Sequence, residues 1–313
     1  MKKLWLVASM VSIVSSAYAA PDVANTGQKG SALVFPRVVV SNTATTYIRL
    51  ANDGSASIDV HCEYRDSVVP ASLHSGFVIQ LKARQAFWFD AAVGGTADTK
   101  PVPQYPGGAG QGLLACWAVD PGDTTQIRWN HISGTANIVD TLNSGALEYP
   151  AWAFAVRAPV IDKSPIGIPG VINLNGIEYD ACPRFLHGID QDSQSNPNAA
   201  APPTNSRARV VITPCTFDLR QDFDPFATSL RLRTWTTVGA LFGDTTTAAS
   251  YWQDLTDGNA GQPVSFEYRS TTGEGLIGVQ YRPQNDPVSS TELSASGSRP
   301  GVILWDFDGA AVP

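Results

Sequence analysis

Residues that announce chemistry are scarce in this chain. Its 313 residues include four histidines, four cysteines and two methionines, and only 16% are charged. No C-x-x-C pair or histidine cluster accompanies the thiols, so the spacing of a zinc site is missing. Hydrolase and phosphate-loop signatures are missing as well: there is no G-x-S-x-G, S-x-x-K, H-E-x-x-H or Walker-type loop. The formal net charge is −7 and no basic cluster is present, which argues against nucleic acid and anionic membranes, since phosphates are held by grouped Lys and Arg. No stretch reaches the roughly 20 apolar residues of a membrane-spanning helix. Nor does any i, i+3, i+4 apolar pattern run long enough for a helix in a globular core.

What is present begins with Met1-Lys2-Lys3, an apolar stretch from Leu4 to about Val14, and the small residues Ala17, Ala19 and Ala20. This is the pattern of a cleavable secretory signal over residues 1–19, with cutting expected after Ala19. Export to the periplasm, the cell surface or the medium is expected. Beyond the signal the chain is long enough to divide into two domains.

The stretch around which the rest is organised is Thr43 to Asp66, TATTYIRLANDGSASIDVHCEYRD. Ile48 and Leu50 point one way and Tyr47 and Arg49 the other. After Asn52-Asp53-Gly54-Ser55, Ile58, Val60, Cys62 and Tyr64 share one face while Asp59, His61, Glu63 and Arg65 share the opposite one. A period of two marks half-buried strands, and Asp-Gly between such runs predicts a β-hairpin with a type I′ turn. A second hairpin is predicted over 171–179 about Asn175-Gly176. Further strands are predicted at 33–40, 77–82, 86–89, 112–120, 126–131, 135–139, 147–156, 209–213, 228–236, 264–269, 276–282 and 302–305. The 112–120 run is apolar on both faces and should be central. Residues 91–111, rich in Gly, Pro and Thr, and the polar segment 188–206 are expected to be loops.

Short strands separated by turn residues, with no helical period, predict an all-β fold of antiparallel β-sandwich type. Tyr47-Ile48-Arg49-Leu50 is echoed by Ser229-Leu230-Arg231-Leu232, and Gly112 to Ala118 by Gly275 to Tyr281, in the same order. With the Pro and Gly interruption between Ala158 and Gly170, this suggests a first sandwich over 20–160 and a second over 161–313. On these strands the chain resembles tandem bacterial immunoglobulin-like domains of exported proteins. The resemblance implies a fold and carries no functional residue, since Trp117 follows Cys116 and Trp88 is the only tryptophan between Cys62 and Cys116.

Four cysteines beyond an export signal predict two disulfides, and three pairings are possible. Cys62 with Cys116 and Cys182 with Cys215 are favoured, because each pair is nearest in sequence and would staple one local unit.

Candidate sites are few. Asp218, Asp222 and Asp224 in FDLRQDFDPF form the densest acidic group, and Asp222 with Asp224 are the candidates for carboxylate catalysis; the plainer reading is an acidic loop with aromatic anchors. Asp190, Asp192, Gln194, Asn196 and Asn198 could offer oxygen ligands to calcium, but Ser195 and Ala201 stand where an EF-hand needs Gly and Glu, and no resident metal or cofactor is expected. Asp306 and Asp308, beside Gly309, are a weaker candidate of the same kind. Asp59, His61 and Glu63 share a strand face on which His131 could join them, the plainer reading being a solvated charged surface. Among the tryptophans, Trp117, Trp152 and Trp235 are assigned to packing, while Trp88, Trp129 and Trp252, beside polar or loop residues, are the surface candidates for stacking on sugar rings.

These readings converge on an exported, non-enzymatic β-sandwich protein for surface, adhesion or glycan contact, with a glycan or a protein at the cell surface as partner. The alternatives are a carboxylate-dependent glycan-active enzyme and a structural subunit of an extracellular assembly.

Overall fold

The computed structural model describes residues 23–67, 74–97, 100–142, 145–157, 161–169, 171–190, 209–215, 228–235, 241–249, 253–256, 264–272 and 275–281. These residues are all-β, built of antiparallel sheets, and the only helical element among them is a 3-10 turn at Pro106–Gly108. Residues 1–19, read as a signal, together with Asp192 to Asn198, Asp218, Asp222, Asp224, Trp252, the strand expected at 302–305, Asp306 and Asp308, lie outside the described residues.

The first half contains β1 (Ala32–Val40), β2 (Ala44–Asn52), β3 (Ile58–Asp66), β4 (His74–Leu81), β5 (Gln85–Asp90), β6 (Gly95–Ala97), β7 (Lys100–Val102), β8 (Gly110–Val119), β9 (Ile132–Asp140), β10 (Gly145–Pro150) and β11 (Trp152–Phe154). They make a five-stranded sheet, β11-β1-β8-β3-β4, a four-stranded sheet, β10-β9-β2-β5, and the ribbon β6-β7. Ile48, Leu50 and Phe89 from one sheet and Val60, Tyr64, Ile79 and Leu114 from the other are buried in a common core, as a sandwich-like arrangement requires. β8 is buried from Gly112 onward and lies between β1 and β3, the central position its apolar run demands.

The second half contains β12 (Phe185–Asp190), β13 (Arg209–Cys215), β14 (Thr228–Trp235), β15 (Leu241–Ala249), β16 (Gln253–Thr256), β17 (Val264–Ser270) and β18 (Gly275–Tyr281). These form a four-stranded sheet, β12-β17-β14-β15, and a three-stranded sheet, β16-β13-β18. The two halves touch where the Trp152 indole N–H donates to the Gly278 carbonyl at 2.8 Å and the Arg37 guanidinium lies 3.8 Å over the Tyr281 ring.

Several sequence expectations are corrected. The stretch from Thr43 to Asp66 is not a hairpin: β2 pairs with β5 and β9, whereas β3 pairs with β4 and β8 in the other sheet. Alternation specifies the apolar side of each arm, and both arms offer that side to the same core from opposite sheets. Gly54 has no positive φ. It is a glycine because a Cβ would come within 2.2 Å of Trp129 Cζ2. Asn175-Gly176 does reverse the chain, with Gly176 at φ +74°, yet the flanking residues form no strands. Residues 126–131 contribute isolated bridges only. Residues 91–111 are not a bare loop, since they carry β6, β7 and the buried Tyr105, whose hydroxyl donates to Asp66 at 3.1 Å. β12 reaches Asp190, into the segment read as loop, and β15 was not anticipated because LFGDTTTAA lacks apolar alternation.

Both disulfides join the favoured pairs, closing 54 and 33 residues. The chain-entropy account gives about 4 kcal/mol for each as an upper figure. Cys62 and Cys116 are directly opposed on β3 and β8, with Cα atoms 4.0 Å apart, so this bridge staples neighbours within one sheet. Two disulfides belong to an oxidising, non-cytoplasmic compartment. Among the described residues no helix is long and apolar enough to cross a membrane.

Candidate functional site

Three outward sheet faces carry polar side chains, and they differ in whether those groups are already engaged. On the five-stranded sheet, Asp59 accepts from Lys100 at 2.7 Å and Gln80 at 3.0 Å, and Glu63 accepts from Arg65 at 2.9 Å. His61 Nδ1 sits 2.8 Å from Asp123, and its ring stacks on Trp117 with centroids 4.7 Å apart. On β12-β17-β14-β15, Arg231 forms a two-point pair with Asp244 at 2.7 and 2.5 Å, and Arg269 and His187 each approach Glu267 at 3.5 Å. Burial, reinforced by the Arg269 charge, lowers the His187 pKa although Glu267 opposes it. On both faces the charges are paired among themselves. The row Asp59, His61 and Glu63 is not the solvated surface expected of it: Asp59 is 6% exposed and its neighbour Arg65 7%, so these charges are paired because they are largely shielded from water.

The outer face of β10-β9-β2-β5 is different. In β2 the buried residues Ile48 and Leu50 alternate with exposed Tyr47 and Arg49, and in β5 the buried Phe89 follows the exposed Trp88. Cross-strand register lines these residues up in two rows. One row runs Trp88, Arg49, Thr135, Pro150, and the next Asp90, Tyr47, Asn137, Glu148. Trp88 is 66% exposed and Tyr47 37%, with ring centroids 6.2 Å apart and planes at 59°. Strand spacing makes the face about 14 Å wide from β5 to β10.

The polar groups between the rings are unspent. Arg49 and Glu148 are exposed and have no hydrogen-bond or ion-pair partner among the described residues, and the same holds for the Thr135 hydroxyl. Asn137 Oδ1 is buried without one. Asp90 alone is occupied, accepting from the Thr45 hydroxyl and from Ala92 N–H at 2.8 Å. Two exposed rings on one sheet face, tilted 59° to each other, with free donors and an acceptor in register beside them, can receive an amphipathic ligand without dismantling any internal contact.

Of the surface tryptophans expected from sequence, Trp88 lies on this face. Trp129 does not: it is 2% exposed, packed over Gly54, and its indole N–H donates to Asn52 at 3.0 Å. Its polar sequence neighbours gave no warning, because the burial comes from β2 and the Gly54 turn far away in the chain. Trp117 and Trp152 are fully buried. His131 stands away from His61, held by Asp53 at 3.1 Å and near Asp162 at 3.5 Å. Among the described residues no three His, Cys, Asp or Glu side chains converge as a metal site. A shallow groove lies between β4 and β7, lined by Gly76, Phe77, Val78, Lys100, Pro101 and Pro103, and the Lys100 ammonium beside it is already committed to Asp59. Tyr47 and Arg49 were not singled out from sequence as site residues. The available signal was their place opposite Ile48 and Leu50.

No known protein family matches the chain, and no curated protein is significantly similar to it.

Proposed function

We propose that this chain is an exported, non-enzymatic protein of two tandem immunoglobulin-like β-sandwich domains, and that it contacts glycans through the outer face of β10-β9-β2-β5. The observation that carries the reading is the exposed Tyr47 and Trp88 pair beside polar groups that no described residue engages. Pyranose rings present C–H faces that pack on aromatic rings and hydroxyls that both donate and accept, so Trp88 and Tyr47 would carry the rings while Arg49 and Glu148 meet the hydroxyls. The within-sheet bridge of Cys62 and Cys116 departs from the inter-sheet disulfide of antibody domains. The likeness is therefore one of strand architecture.

The test is a thermal-shift series on the mature oxidised protein with a panel of polysaccharides, repeated on Trp88→Ala and Tyr47→Ala. A polymer that binds only the folded chain adds about 2.7 kcal/mol at a hundredfold excess over its dissociation constant. A shift that vanishes in Trp88→Ala supports the reading. No shift with any polymer, or one indifferent to both variants, overturns it.

A second reading is favoured by the same trio, since Trp, Tyr and Arg dominate the energetics of protein interfaces. Self-association through this face would appear as a concentration-dependent mass that Trp88→Ala abolishes.

A further inference from the structure

We infer that the ligand of this face is an acidic glycan, and that Arg49 selects it by pairing with the carboxylate of a uronate ring stacked on Trp88. The inference rests on the glycan-contact reading. Arg49 and Trp88 are direct cross-strand partners, so a ring lying on the indole brings its substituents over the guanidinium. A guanidinium has five donors and no acceptor, and its fork matches a carboxylate in a two-point pair. A neutral sugar would satisfy it less completely.

Four other arginines show the pairing such a group can make in this protein, while Arg37 rests on the Tyr281 ring and Arg128 on Ser164 and the Pro165 carbonyl. Arg65 pairs with Glu63 at 2.9 Å, Arg157 with Asp180 at 3.3 Å, Arg231 with Asp244 at 2.7 Å and Arg269 with Glu267 at 3.5 Å. Acidic residues outnumber basic ones by 28 to 21, yet Arg49 has no acidic partner among the described residues. The carboxylates nearest in register are Asp90 and Glu148, each one row away. Asp90 is taken by Thr45 and Ala92. Glu148, two strands across, is left to accept hydroxyls from a neighbouring ring. A net charge of −7 repels polyanions at long range, so selectivity has to arise from contact with Arg49 and not from steering.

The experiment compares the mature protein on polygalacturonate and alginate with their methyl esters, which keep the rings and linkages and remove the charge. Binding is read by calorimetry for wild type, Arg49→Gln and Trp88→Ala. Wild type is expected to prefer at least one acidic polymer over its ester by about tenfold or more, the scale of a hydrogen-bonded charge. Arg49→Gln is expected to erase the preference while weak binding to the ester persists, and Trp88→Ala to lose both. Equal binding of acid and ester, a preference that survives Arg49→Gln, or no binding to either polyuronate overturns the inference. Equal binding that still requires Trp88 overturns it while leaving the glycan reading standing.

Discussion

The indole N–H of Trp129 donates to the side-chain oxygen of Asn52 at 3.0 Å, and the same oxygen accepts the Gly54 N–H at 3.0 Å. The Asn52 amide nitrogen donates in turn to Ala56 and Lys82 carbonyls at 2.9 and 3.0 Å. One buried side chain thus holds the crossing from β2 to β3, which passes from one sheet to the other.

Removing Asn52 should therefore cost more than an average substitution. Asn52→Ala strands the Trp129 indole N–H and is expected to destabilise by about 1–3 kcal/mol. Gly54→Ala pushes a methyl into the Trp129 ring, where the gap is 2.2 Å, and should cost about 1–3 kcal/mol through overpacking. Urea midpoints within error of wild type for both variants would contradict this account of the turn.

Two tryptophans offer an internal control on the candidate site. Trp88→Ala removes an exposed ring and should change stability by no more than about 0.5 kcal/mol, while Trp129→Ala empties a core position and should cost about 3–5 kcal/mol. If Trp88→Ala unfolds the protein, the ring is a packing element and the glycan reading loses its support.

The disulfides should differ in their resistance to reductant. Cys62 and Cys116 are fully buried, whereas Cys182 and Cys215 retain slight exposure at 7% each. Limited reduction followed by alkylation and mass mapping is expected to label Cys182 and Cys215 first. Labelling in the reverse order would mean that the first pair of sheets opens more readily than the second.

Acid sensitivity has identifiable sources. The hydrogen bond from Lys29, with His131 on its other side, holds the Asp53 carboxyl below its ordinary value of 3.8. A carboxylate with a depressed folded pKa contributes stability that is complete above its unfolded value and lost as pH falls through the folded one, so this contribution should disappear below about pH 4. His187, lowered below 6.5 by burial, works over a higher window, since the unfolded chain takes up protons first as pH falls below that value. Stability should therefore decline from about pH 6.5 downward, and His187→Gln should flatten the upper part of the decline while Asp53→Asn flattens the lower. Unfolding curves recorded against pH check both; unchanged slopes would remove these two groups from the account.

Much of the architecture was legible because its signals are local. The alternation in Tyr47-Ile48-Arg49-Leu50 reports a strand with one wet face, and the unbroken apolar run of β8 reports a covered one. Placement of Trp88 on the side opposite Phe87 and Phe89 follows from the same rule. Less legible were segments whose structure depends on distant partners. β15 is strand because β14 offers it an edge, and Tyr105 is buried because Asp66 receives its hydroxyl.

The sequence alone thus determined an all-β chain and the apolar and polar sides of its strands, and it favoured one of three cysteine pairings, which the structure then showed. Tertiary structure decided that β2 and β3 belong to opposite sheets, that Trp129 is core, and that Tyr47, Arg49 and Trp88 meet on one open face. The physical reason is that a period of two is a property of each strand by itself. Which strands are neighbours is settled only when side chains far apart in the chain bury one another, as Trp129 and Gly54 do.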